Sequence, residues 1–188
     1  MPLHIAFLRA INVGGRVVKM DQLRALFEGL GLSKVETFIA SGNVIFESPA
    51  KAKALETKIA GHLRESLGYE VGVFIRSPAE IAAVAGHQPF PVADLEADGH
   101  SLYISFLSSA PAAEAAERLR ALRTDLDDFH IHGCEVYWLC RTRISESAVS
   151  MAKFERAVGV PGTMRNVTTV KKLAAKYPAA APRGKRRD

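Results

Sequence analysis

Three short runs hold the residues best suited to gripping an anion. Leu8-Arg9-Ala10-Ile11-Asn12-Val13-Gly14-Gly15 ends an apolar segment with an arginine, then an asparagine and two glycines. Ser41-Gly42-Asn43 and Thr163-Met164-Arg165-Asn166 bring further hydroxyl, amide and guanidinium groups. Arginine presents a planar fork of donors that matches carboxylate or phosphate. Glycines let the backbone approach a ligand and turn several N–H groups to one side, and a helix N-terminus adds partial positive charge. The candidate ligand-binding residues are therefore Arg9, Asn12, Gly14, Gly15, Lys19, Ser41, Asn43, Arg165 and Asn166. The three runs contain no histidine, cysteine or carboxylate. That composition suits binding and charge stabilisation better than proton transfer or covalent catalysis.

Other chemistries have weaker signatures. No G-x-G-x-x-G occurs and no glycine-rich loop runs into Lys-Ser/Thr, so neither a dinucleotide fold nor a P-loop is indicated, and no cofactor is expected. His130-x-His132-x-Cys134 has metal-like spacing on one strand face. Gly133 turns the chain there and no fourth ligand follows, so no metal site is expected. His4, His62, His87 and His100 stand alone, and Asp125, Asp127 and Asp128 read as a solvated turn. Ser145, Ser147 and Ser150 have no general base nearby in sequence. Thr163 or Asn166 fits a helix N-cap. Arg165 does not, because a cation is disfavoured at a helix N-terminus. An anionic partner, from protein or ligand, would relieve it.

The three runs resemble the motifs of the DUF1697 family, which carries an LRGINVGG-like start, an SGN turn and a TxRN stretch. The resemblance spans roughly residues 3–177 and implies two ferredoxin-like halves, with no activity attached. Two departures stand out. Ala10 replaces the family's glycine, and Val167-Thr168-Thr169 follows Arg165-Asn166 where the family often reads RNWNT.

The elements that must position these groups are legible from periodicity. Residues 4–9 read as a central strand and residues 20–30 as a helix with apolar positions Met20, Leu23, Leu26, Phe27 and Leu30. Residues 35–40 and 44–47 form a hairpin about Ser41-Gly42-Asn43. A long helix opened by Pro49 and a strand over 71–76 complete a β-α-β-β-α-β unit. In that topology strands 1 and 3 are antiparallel neighbours, which brings Arg9 towards Asn43. Ser77-Pro78 then opens a helix ending at Gly86.

Residues 102–107, 112–123, 129–132, 135–140 and 148–158 read as strand, helix, hairpin and helix, and 167–176 as a helix in place of a clear fourth strand. One of Tyr137 and Trp138 should face each side of the sheet. The fold class is thus α+β, an α/β sandwich of two ferredoxin-like halves with the second incomplete and no evident residue-level repeat. The organisation is a subdomain over 1–86, a linker over 87–100, a subdomain over 101–177 and a basic tail over 178–188.

Composition narrows the partners. The 188 residues are 48% hydrophobic and 24% charged, ordinary for a globular protein. No apolar run approaches the roughly 18 residues that span a bilayer, and no basic stretch precedes residues 5–8, so the expected location is the cytoplasm. Cys134 and Cys140 would lie roughly 20 Å apart on an extended strand, too far for a disulfide. The net charge of +5 is concentrated at the end, where residues 171–188 carry +6 and the rest of the chain −1.

The leading expectation is a protein that binds a small phosphate- or carboxylate-bearing ligand. One alternative is nucleic-acid binding, through the sheet, with Phe7 and Phe46 on its central strands, and through residues 171–188. The other is an enzyme acting on a phosphorylated small molecule, with Lys19 as its participant.

Overall fold

The structure is a computed structural model and describes residues 1–39 and 42–179. Its first half runs β1 (Leu3–Arg9), α1 (Met20–Glu28), β2 (Ser33–Thr37), β3 (Asn43–Glu47), α2 (Ala52–Leu67) and β4 (Gly72–Arg76). Two helices follow, α3 (Pro78–Gly86) and the short α4 (Val92–Glu96), the latter inside the expected linker. The second half runs β5 (Ser101–Leu107), α5 (Glu114–Arg120), β6 (Asp127–His132), β7 (Glu135–Cys140), α6 (Met151–Val158), β8 (Gly162–Asn166) and α7 (Val167–Lys176). The strand orders are β2-β3-β1-β4 and β6-β7-β5-β8, each fully antiparallel. The second half is therefore complete. The Thr163–Asn166 motif, read from sequence as the approach to a helix, lies in its fourth strand. The alternation of buried Thr163 and Arg165 with half-buried Met164 and Asn166 is a strand pattern, and the polar types at the buried positions masked it.

The two halves share one core. The helix-facing side of the first sheet, with Leu8, Phe46 and Val73, packs on Phe27, Leu55 and Ile59 of α1 and α2. Val136 and Trp138 of the second sheet pack likewise on Leu119 and Phe154 of α5 and α6. The two remaining sheet faces contribute Ile5, Phe7 and Ile45 from one side and Ile104, Phe106 and Tyr137 from the other to a central cluster. Ile81 and Val84 of α3 and Val170 and Leu173 of α7 join it. Tyr137 and Trp138 thus face opposite sides, as the strand period requires. At the centre the rings of Phe7 and Phe106 stack at 4.1 Å with planes 8° apart. The faces that an RNA-binding sheet would offer to bases are buried, and Phe7 and Phe46 are fully enclosed. That removes the sheet from the nucleic-acid reading. Residues 180–188 of the basic tail lie outside the described residues.

Among the described residues no helix is long and apolar enough to cross a membrane. Local signals set the start of α3. Ser77 accepts the Glu80 backbone N–H at 3.3 Å while the Glu80 carboxylate accepts the Ser77 N–H at 2.7 Å, a capping box that opens the helix at Pro78.

Candidate functional site

The topology brings one end of each of the three motifs together, at Leu8, Asn43 and Arg165. Phe7 pairs with Asn43 across β1 and β3, so the end of β1 meets the start of β3. Arg165 reaches this junction from β8. Its Nε donates to Asn43 Oδ1 at 2.7 Å, its Nη2 to the Leu8 carbonyl at 2.9 Å, and its Nη1 to Met164 O and Thr163 Oγ1 at 2.8 and 2.9 Å. The guanidinium carbon lies 5.5 Å from the centre of the Phe7 ring. Burial pushes the Arg165 guanidinium down to about 10. Asn43, read from sequence as a turn residue, is instead the buried first residue of β3, and its Nδ2 donates to Phe38 O at 2.9 Å. Arg165 and Asn43 therefore fasten one half to the other.

A second arginine makes the same connection in reverse. Arg76 ends β4 and pairs with Ile5, as Arg165 pairs with Ile104. Arg76 Nε donates to Glu135 Oε1 at 2.8 Å, Nη1 to Ile75 O at 2.9 Å and Nη2 to Leu107 O at 2.9 Å. Its guanidinium carbon lies 5.6 Å from the Phe106 ring centre. Glu135 pairs with Phe106 as Asn43 pairs with Phe7. The halves are thus related by an internal twofold, and Ile5-Ala6-Phe7-Leu8 and Ile104-Ser105-Phe106-Leu107 are corresponding segments. Reading the sequence missed Arg76, Glu135 and this repeat. The shared Ile-x-Phe-Leu was the available signal.

The remaining motif residues lie apart. Arg9 is half-exposed and pairs with Glu155 of α6 at 2.8 Å. Asn12 Oδ1 accepts the Val18 N–H at 2.9 Å and closes the exposed loop that carries Gly14 and Gly15, and exposed Lys19 follows it at the start of α1. Both glycines have positive φ, 60° and 78°, and a side chain at either would meet open space. Ser41 lies outside the described residues. Asn166 caps α7, its Oδ1 accepting the Thr168 N–H at 2.8 Å.

Three other sequence readings change. Asp127 is buried, not solvated. Its carboxylate accepts from Trp138 Nε1 at 2.9 Å, Ser147 Oγ at 2.8 Å and Thr124 Oγ1 at 3.0 Å, which offsets the cost of burying it. Ser147 therefore holds the fold. His130 and His132 group with His87, from the end of α3, and not with Cys134. His87 consequently does not stand alone.

A cleft of about 410 Å³ opens between the end of α3, α4, the start of β5 and the first turns of α7. Lys171 and Thr168 line it from α7, Asn166 from the cap that precedes that helix, and His100 and Ser101 from β5 and the residue before it. His87, Gln88 and Glu96 complete the polar lining. The backbone carbonyl of Asp94 lies 2.8 Å from His100 Nδ1 and fixes that ring. Of the residues picked from sequence only Asn166 is here. The others were invisible because α3, α4 and α7 are brought together by the shared core, not by spacing.

The model of the family described as "Protein of unknown function (DUF1697)" matches residues 1–137, ending within β7 and short of the Thr163–Asn166 motif. The conserved bacterial protein SP0830 from Streptococcus pneumoniae has a similar structure, with a TM-score of 0.71 at 21% identity, covering 93% of this chain and 97% of that one. No curated protein sequence matches the chain.

Proposed function

This chain belongs to the DUF1697 family, and from its geometry we propose that it binds a small phosphate- or carboxylate-bearing molecule in the cleft at the start of α7. The observation that supports this reading is the meeting of Lys171 with the N-terminal turn of α7 in a concave, mixed polar and apolar space. Helix N-terminal N–H groups and a lysine both favour negative charge. Arg165 serves this reading indirectly, by fixing β8 and hence the origin of α7. The cytoplasm is the setting we infer for it.

The test is a thermal-shift and calorimetric screen against inorganic phosphate, nucleotides, sugar phosphates and small carboxylates, since a native-state ligand raises the melting temperature. For the best anion, Lys171→Ala should weaken binding about tenfold or more, the value of a charge-assisted hydrogen bond. Undiminished binding by that variant overturns the assignment.

A second reading, an enzyme acting on a phosphorylated small molecule, is favoured by His100 and Glu96. They supply beside Lys171 the proton-transfer groups that the three motifs lack. Turnover of a cleft-binding phosphate ester, lost in His100→Ala with binding retained, would establish it.

A further inference from the structure

His130 and His132 sit two apart on β6 and so project from one face of it, while Phe129 and Ile131 project from the other into the core against α5 and α6. The histidine-bearing face looks towards the end of α3. There His87, the residue that closes the helix, meets both. The His87 and His132 rings stack at 4.1 Å, and the His130 ring lies 5.4 Å from His87. One ring nitrogen from each of the three histidines falls within 4.8 Å of the other two.

His87 Nε2 is enclosed and has no hydrogen-bond partner among the described residues. A polar atom left so forfeits its hydration without compensation, and native proteins rarely tolerate it. Burial, and then neighbouring His132, holds His87 below the ordinary imidazole range, and burial does the same to His130.

We propose that His87, His130 and His132 form a binding site for one divalent transition-metal ion, with zinc the best match. Zinc takes imidazole nitrogens at about 2.0–2.1 Å in tetrahedral array. That requires the nitrogens to close to roughly 3.3 Å and the stacked His87 and His132 rings to turn until their in-plane lone pairs converge. An all-imidazole set selects zinc, copper, nickel or cobalt and discriminates against magnesium and calcium, which require oxygen. Three protein ligands leave a fourth position, and exposed His132 puts the site at the surface, open to water or to an anionic ligand. The ion would also tie α3, which follows the first half, to the edge strand of the second. This goes beyond the anion reading and stands without it.

The experiment is zinc titration of the untagged full-length chain by calorimetry at pH 7.5, with cobalt as the absorbing probe. One equivalent should bind, and the melting temperature should rise with zinc concentration. His132→Ala removes an exposed ligand and should leave the metal-free melting temperature unchanged. It should weaken zinc binding by more than roughly tenfold, the scale on which even outer-shell partners matter. His87→Ala should do the same, whereas Cys134→Ser should bind as the parent does. No zinc binding, binding retained in His132→Ala, or binding lost in Cys134→Ser would each overturn the site.

Discussion

Arg76 and Arg165 hold corresponding places in the two halves, and each crosses to the other half to bond the corresponding backbone carbonyl, Leu107 for Arg76 and Leu8 for Arg165. They differ in one atom group. Arg76 faces the carboxylate of Glu135, whereas the matching acceptor for Arg165 is the amide of Asn43. The Arg165 guanidinium, without a carboxylate at that position, is held down by burial. The fold thus reads as two ferredoxin-like units locked face to face by reciprocal arginines around the Phe7–Phe106 stack.

Removing either clasp should loosen the whole molecule. Arg165→Ala leaves the Leu8 and Met164 carbonyls and Asn43 Oδ1 without this donor, and should cost about 3 kcal/mol. For a chain of this length that is a fall of roughly 6–12 °C in melting temperature. Arg165→Lys should recover little of it, because a single ammonium nitrogen cannot reach acceptors that the guanidinium meets with three separate nitrogens. Chemical denaturation of both variants is the measurement, and a loss below about 0.5 kcal/mol in Arg165→Ala would remove the clasp.

The ion-paired clasp can be turned into the neutral one. Glu135→Gln keeps an acceptor for Arg76 and imitates Asn43, whereas Glu135→Ala leaves a buried cation without it. The expected order of stability is parent, Gln, Ala, with the alanine variant down by about 3–5 kcal/mol. Equal losses in the two variants would mean that charge alone matters at this position.

Ala10 and Gly42 should respond in opposite directions. Ala10 is held at φ 63°, a conformation that costs a residue with a Cβ about 1–2 kcal/mol. Ala10→Gly should therefore stabilise the protein by about 1 kcal/mol, or roughly 2–4 °C. Gly42 has φ 76°, and an added Cβ would come within 2.9 Å of Ile11 Cγ2 and 3.1 Å of Leu8 Cβ. Gly42→Ala should destabilise. Thermal melts of the pair decide the matter.

The two thiols should differ sharply. Burial, and then the Asp127 carboxylate beside it, pushes the Cys140 thiol up to about 12. Cys140 should resist alkylation in the folded state at pH 8, while half-buried Cys134 reacts. A native-state thiol assay should count one fast equivalent, and two after denaturation. Because the folded value lies above the unfolded one, near 9.0, the stability held in the neutral Cys140 thiol is complete below about pH 9. It declines as the pH rises towards 12.

Zinc removal offers an independent check on the histidine cluster. If the ion joins α3 to β6, chelation should lower the melting temperature of zinc-loaded parent protein and leave His132→Ala unmoved. An equal response in both would place the metal elsewhere.

Local patterning was enough to find nearly every element. The capping box at Ser77-Pro78-Ala79-Glu80, the apolar spacing of Leu55, Ile59 and Leu63, and the turn at Gly133 act over a few residues and are readable in one dimension. The meeting of Arg9's strand end with Asn43 was legible too, because βαββαβ connectivity makes strands 1 and 3 neighbours. β8 was missed because its inward positions are Thr163 and Arg165, polar residues whose burial makes sense only once Asn43 and Leu8 are opposite.

What the sequence by itself determined is the pair of ferredoxin-like units and the apolar faces that oblige them to pack. What only the tertiary structure decided is the use of the polar groups at the seam. Arg165 became a fastening, Asp127 a buried acceptor, and His87 a neighbour of His130 and His132. Each role depends on a partner brought close by the packing of two sheets and two helices, and no spacing along the chain records that distance.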